Sequence, residues 1–440
     1  MIAGIVASGR FLAAAPPAGA HWLATLGSAN TERTIGIGSA AVLPDGSLVI
    51  AGEADNAGVV TPFAAKYNVS GDVQWQRVLA SPFTARWRAV TQDAAGAIYC
   101  IGDGATAASG GTNFGVIAKY SQDGTLVWQR KVSSSNNVYL FGVAASSAGV
   151  AVVGYEAAGG GGIRGIVLLI GVDGVLQWQR ALDGAGTDIF YGCAFDGQGD
   201  VYVSGYTGST GGSSVEVLVA KFSGAGSMLW QRYMGGSITD AAFAIKYSDQ
   251  AGALYLAGYC DSNGTGAAGG YVAKIDTNGS LLWQRKLSGN NLTYLYDLAV
   301  RDGGVIVAGH TTHPTSGLAA SGLAASYAHD GSLSWVRSLS GASNEYIRGV
   351  KITGSDFYLS GYTESAGAGG ADFLSARLPL DGSKTGSYGA LSYQPLGLTS
   401  ASIALSTGTI TLSNIDPALT VSANTFTANS LSLTNNRITL

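Results

Sequence analysis

Seven of the eight tryptophans stand at 22, 75, 128, 178, 230, 283 and 335, at intervals of 53, 53, 50, 52, 53 and 52 residues. A second marker keeps the same beat: a strand-like run ending in glycine recurs at Gly52, Gly102, Gly154, Gly205, Gly258, Gly309 and Gly361. Self-similarity at this period restricts the chain to a propeller or a solenoid. Each unit reads as four short strands. In the fourth unit they are Phe190 to Phe195, Val201 to Tyr206, Val215 to Phe222 and Met228 to Tyr233, separated by turn residues. Between the last two lies, in several units, an Asp-Gly or Asn-Gly pair such as Asp123-Gly124 or Asn278-Gly279, which suits the positive φ of a tight hairpin. A four-strand meander of this length is a propeller blade rather than a solenoid coil.

The expected fold is therefore all-β: a seven-bladed β-propeller of four-stranded blades over 21–390, with an N-terminal arm (1–20) and a small C-terminal β segment (391–440). Tyr388 continues the tryptophan series, so eight fourth-strand markers serve seven blades. Ring closure follows, with the strand near Trp22 favoured over Tyr388 as the one that completes the last blade and removes a free edge.

The runs AKYSQDGTLVWQR (118–130), AKIDTNGSLLWQR (273–285) and GDVYVSGYTGST (199–210) resemble the bacterial and phage seven-bladed β-propeller repeat, in which a GxVYVxGYT strand follows a WxR strand. The resemblance spans about residues 22–388. It implies the fold, and it brings no catalytic residues, because such repeats occur in secreted, surface and phage-encoded proteins with no common chemistry.

Composition narrows the class further. There are 66 glycines in 440 residues, 24 basic and 28 acidic side chains, and a net charge of −4. The ordinary apolar content, 46%, excludes a disordered chain. Nine prolines without a Gly-X-Y period exclude collagen. Basic residues spread over an acidic chain exclude nucleic-acid binding by bulk charge. No apolar run is long enough for a membrane span. Residues 1–20 are apolar but carry Arg10 and no basic start, so they read as an arm and not a targeting signal. Cys100, Cys193 and Cys260 show no metal spacing and read as buried thiols.

The repeated tryptophans (Trp22, Trp75, Trp128, Trp178, Trp230, Trp283 and Trp335) are expected to pack blade on blade. The arginine two residues on, from Arg77 to Arg337, and the third-strand lysines Lys66, Lys119, Lys221 and Lys274 are given structural roles. The residue after each second-strand glycine varies: Glu53, Asp103, Tyr155, Tyr206, Tyr259, His310 and Tyr362. Loops opening on the same face carry Tyr139, Phe190, Tyr191, Tyr294, Tyr296 and Tyr346. Tyrosine offers a flat apolar surface with a hydroxyl, suited to a sugar or a protein partner. Tyr155, Tyr206, Tyr259, His310, Tyr362, Tyr139, Tyr191, Tyr294 and Tyr346 are thus the candidate ligand or partner face, set against a plain role in closing the blade ends.

Catalytic constellations fail. No carboxylate pair recurs. His310 and His313 lack an evident third ligand. Asp196 to Asp200 lacks the glutamate of a calcium loop and reads as a turn. Neither a metal nor a cofactor is expected. After Tyr388 the chain alternates Ser, Thr and Asn with Leu and Ile, with Asp416 and Arg437 its only charges. Such a segment needs other chains, a partner or the propeller to cover its apolar face, and it resembles segments of phage tail-fibre proteins.

The expected function is a non-enzymatic structural or adhesion protein of a phage virion, in the tail or fibre region. Residues 1–20 and 391–440 would join it to other virion proteins in an oligomeric assembly, and the loop face would meet a host glycan or surface protein. The alternatives are a bacterial secreted or surface propeller binding glycan or protein, and a propeller enzyme that degrades polysaccharide.

Overall fold

The computed structural model describes residues 20–439 apart from 57, 81–83, 108–110, 158–161, 212–213, 263–267, 290–291, 313–318, 411–412, 416–419, 424–426 and 430–433. The arm, residues 1–19, and His313 lie outside the described residues. Every described strand belongs to one of seven antiparallel sheets, and these are the blades of a propeller ring. The fourth blade comprises Asp188–Phe195, Val201–Thr207, Glu216–Phe222 and Met228–Gly235. The core lies between blades. Ile101 and Ile117 of blade 2, for example, pack against Val152, Ile166 and Leu168 of blade 3.

Ring closure uses the N-terminal strand. Trp22–Gly27 pairs with Asp372–Pro379, Trp22 standing opposite Arg377, and supplies the fourth strand of blade 7. Tyr388 lies in Gly386–Tyr388, a short strand at the outer edge of blade 6.

A tryptophan with an arginine two residues on joins each of blades 1 to 6 to the next. Trp75 Nε1 donates to the Gln122 carbonyl (3.0 Å) in the hairpin turn of blade 2. Arg77 lies over the Trp75 ring, its Cζ 5.7 Å from the centroid, and its Nε donates to the Gly124 carbonyl (2.9 Å) in that turn. The same pair of bonds runs from Trp128 and Arg130, Trp283 and Arg285, and Trp335 and Arg337. The turn glycine is required twice over. Gly124 has φ +79°, and a Cβ there would lie 2.8 Å from the Trp75 ring. Asp123, expected to share the positive φ, does not; its carboxylate instead accepts the Thr125 amide (3.2 Å). The turn is thus a right-handed turn ended by one left-handed glycine.

The third-strand lysines tie down turns. Lys221 bridges Asp196 (3.4 Å) and Asp200 (2.9 Å), whose run forms the turn between first and second strands. Lys119 and Lys274 donate to the carbonyls of Val172 and His329 in neighbouring blades. Cys100, Cys193 and Cys260 are buried free thiols, and burial pushes all three pKa values up.

The C-terminal segment is seated on the propeller itself. Leu391–Pro395 adds a fifth strand to blade 6, Thr399–Ser402 to blade 5, Ser406–Thr409 to blade 4 and Ser413–Ile415 to blade 3. Thr420–Ala423 then joins blade 2, Thr427–Asn429 blade 1 and Thr434–Thr439 blade 7. One belt thus circles the whole rim in the order opposite to the blades. The expected attachment segment is a fifth strand for every blade, because seven unpaired outer edges of the same chain lie within its reach.

The belt carries its own repeat, which the strand alternation conceals: Leu398, Leu405, Leu412, Leu419, Phe426, Leu433 and Leu440 recur every seven residues. Among the described ones, Leu398 packs on the core between blades 5 and 6, and Leu405 is buried between blades 4 and 5. The belt also repairs the seam. Trp22 keeps its indole bond, to the Val69 carbonyl (3.1 Å), but Ala24 stands where other blades have arginine. Opposite Ala24 lies Arg437, which donates to the Ser70 carbonyl (2.6 Å) and pairs with Asp72 (2.8 Å).

Two stability tests follow. Trp75→Ala should destabilise the protein by about 3–5 kcal/mol, read from the urea midpoint. A chain lacking 390–440 should melt at lower temperature and self-associate in light scattering, since its outer edges are then unpaired.

Candidate functional site

Each first strand from blade 2 to blade 7 carries a one-residue bulge near its start. The bulged residues are Arg88, Phe141, Tyr191, Phe243, Tyr296 and Arg348. Opposite each bulge is the second-strand glycine of the repeat. A Cβ on Gly154 would lie 1.9 Å from the Tyr139 carbonyl oxygen, and on Gly309 1.8 Å from that of Tyr294. Only glycine admits the carbonyl that the bulge turns toward the partner strand. The residue after the bulge is also small in most blades, because neighbouring first strands nearly touch there: a Cβ on Gly142 would lie 2.3 Å from the Tyr191 carbonyl oxygen.

The bulges aim their side chains at the mouth of the central channel, where they meet in sequence. Ring centroids are 5.0 Å apart for Phe141 and Tyr191, 5.2 Å for Tyr191 and Phe243, and 5.6 Å for Phe243 and Tyr296. Arg348 stands over Tyr296 at 4.0 Å and Arg88 over Phe141 at 4.9 Å.

The residues expected to form a face surround this ring as cross-strand pairs: Tyr139 with Tyr155, Tyr294 with His310, Tyr346 with Tyr362. Their rings touch the bulge residues and one another. Tyr155 lies 5.6 Å from Phe141, Tyr206 5.9 Å from Tyr191, Tyr259 5.4 Å from Phe243 and 5.1 Å from Tyr294, and His310 4.6 Å from Tyr346. The result is one aromatic arc across blades 3 to 7. Two locations differ from expectation. Tyr139, Tyr191, Tyr294, Tyr296 and Tyr346 sit within first strands and not in loops, since the bulge lets pairing continue past them. Phe190 turns away from the face into the core between blades 3 and 4.

Blades 1 and 2 close the circle with charge. Arg33 and Arg86 contact Glu53, at 2.8 Å and 3.5 Å. Arg86 and Arg88 contact Asp103. Both carboxylates are buried and held by arginine. Phe141, Phe243, Arg88 and Arg348 were not recognised from sequence, yet a signal exists: each bulge residue stands thirteen positions after its tryptophan, and Ile35 holds that place in blade 1.

Beneath the ring the channel keeps a cavity of about 40 Å³, lined by Lys246, Asp297 and Lys351 among others. The Asp297 carboxylate accepts from Lys351 Nζ (2.6 Å) and the Val350 amide (3.1 Å). Among the described residues no three His, Cys, Asp or Glu side chains converge as a metal site.

Burial holds several residues of the arc in their neutral form at neutral pH. Burial, with a smaller contribution from Tyr139, pushes the Tyr155 phenol up to about 12. Burial does the same for Tyr362, to about 12. Burial, assisted by Arg348, lowers the His310 pKa from 6.5 to about 3. Tyr155, Tyr362 and His310 thus present neutral rings, the tyrosines with hydroxyl donors.

No protein-family model matches the chain, and no curated protein matches it. Some solved structures are similar to it at low identity. Phage phi92 endosialidase is 12% identical over 83% of this chain and 70% of its own, with a TM-score of 0.43. A Dyadobacter fermentans protein of unknown function is 11% identical over 81% and 97%, TM-score 0.43. A Lactobacillus plantarum protein is 15% identical over 71% and 94%, TM-score 0.41.

His310 gives a pH test. Folded, it stays neutral down to about pH 3, whereas unfolded it takes a proton below about 6.5. Its contribution is therefore constant above pH 6.5 and lost as pH falls toward 3. Its Nδ1 is buried without a hydrogen-bond partner, so phenylalanine gives up no bond there. His310→Phe should flatten the decline in stability between pH 6.5 and 3, measured by urea titration at each pH.

Proposed function

We propose that this protein is a non-enzymatic adhesion and structural component of a phage virion, in the tail or fibre region, and that its channel-mouth face binds a saccharide of the host surface. The observation that carries the reading is the aromatic arc. Contiguous, half-buried rings on rigid strands present flat apolar area with hydroxyl donors beside it, which suits the faces and hydroxyls of sugar rings. A cofactor is not needed for this. Binding is favoured over catalysis by the state of the ionisable groups: Tyr155 and Tyr362 are shifted away from a nucleophilic phenolate, and Glu53 and Asp103 are engaged by arginine.

The virion setting draws on the belt. A Ser/Thr/Asn-rich strap with little charge, paired along every blade, makes a rim without loose β segments and leaves the belt's outer edges, with the arm, for neighbouring proteins in an oligomeric particle.

The binding reading is tested on a bacterial glycan array. The wild-type chain should bind, and Phe243→Ala or Tyr296→Ala should lower affinity at least about tenfold while the melting temperature shows the fold intact. Unchanged binding by both variants removes the arc as the contact surface. Mass spectrometry of purified particles tests the setting, and absence from particles overturns it.

A further inference from the structure

The ring at the channel mouth has neither an aromatic nor an arginine at blade 1. Its first strand is interrupted, with Glu32–Arg33 and Ala40–Val42 separated by residues 34–39, and its ring position holds Ile35. That segment is wedged between its neighbours. Gly38 N donates to the Arg348 carbonyl (2.9 Å), and a Cβ on Gly36 would lie 1.8 Å from the Arg88 carbonyl oxygen. Residues 34–39 therefore lie between Arg348 on one side and Arg88 on the other, with Arg33 and Arg86 nearer the loop end.

Charge in this sector is unbalanced. Four arginines face Glu53, Asp103 and, at the margin, Glu364, whose carboxylate accepts from Asn344 (2.7 Å). Arg348 has no carboxylate within ion-pair distance among the described residues, and its Nε is buried without a hydrogen-bond partner. Below, Lys246 and Lys351 face a single Asp297. This sector, in a chain of net charge −4, thus sets four arginines against three carboxylates.

Resting on the reading of this face as a saccharide-binding surface, we propose that the arginine-bordered surface over blade 1 is the subsite for the oxyanion of an acidic saccharide, a carboxylate or a phosphate. The planar guanidiniums of Arg88 and Arg348 receive the oxyanion from two sides, and the arc beginning at Phe141 and Tyr346 takes the adjoining sugar rings. Arginine suits the task because its fork of donors matches such groups and it stays charged throughout.

The test uses the full chain on an array that places acidic glycans beside their carboxyl-reduced or dephosphorylated forms. The acidic forms should bind at least about tenfold more tightly, and the preference should shrink as salt rises. Arg348→Gln should bring the acidic form down to the level of its neutral counterpart with little change in melting temperature, Arg88→Gln should do the same at some cost in melting temperature because Asp103 loses its nearer arginine, and Arg348→Lys should restore part of the preference. Phe243→Ala should weaken both forms alike. Sensitivity to carboxyl reduction identifies a carboxylate, and sensitivity to dephosphorylation a phosphate. If neutral forms bind as well as their parents while Phe243→Ala still abolishes binding, the oxyanion subsite is wrong and the saccharide face stands. If no glycan binds at all, both are wrong.

Discussion

The bulge in each first strand, and the glycine it demands opposite, set the geometry of everything near the channel. The extra residue turns a backbone carbonyl onto the partner strand, where a Cβ would lie about 1.8 Å from it at Gly205 or Gly309. The same bulge turns one side chain out of the sheet toward the axis. Repeated around the ring, it converts separate blades into a mouth lined by Phe141, Tyr191, Phe243 and Tyr296 and flanked by two arginines. The glycine is therefore more than a strand-breaking marker: it permits the distortion that builds the face.

At the rim a different contact recurs. An indole and a guanidinium of one blade hold the hairpin turn of the next, and the left-handed turn glycine lies flat against the indole. The contact is polar as well as apolar, because turn carbonyls that no strand would pair are satisfied by the neighbouring blade. The belt then pairs the outer edges left by this arrangement. At the seam, where Trp22 lacks its arginine, Arg437 of the belt reaches the Ser70 carbonyl from the adjacent strand. The N-terminal strand and the last strand of the belt thereby complete one blade together.

Legibility followed periodicity. The tryptophans and second-strand glycines disclosed the blades because their spacing is long, regular and chemically conspicuous. Tyr155, Tyr206, Tyr259, His310 and Tyr362 were visible as variable residues beside an invariable glycine. Phe141, Phe243, Arg88 and Arg348 hold an equally regular place, but aromatic and charged types share it, so no single residue announced it. The seven-residue beat of the belt was hidden for a similar reason: leucines within an alternating strand pattern look like strand filling. Phe190 and Tyr191 read alike as loop aromatics, and a single bulge decides which of the two turns outward.

The sequence by itself determined the number of blades and their four strands, because each depends on local period and turn chemistry. Only the tertiary structure decided that the C-terminal segment belts the rim and that a charged sector closes an aromatic arc. Both depend on contacts between residues hundreds of positions apart, such as Ala24 with Arg437, or brought together around the ring, such as Arg348 and Arg88 on either side of blade 1. Ring closure creates those neighbours, and no local pattern encodes them.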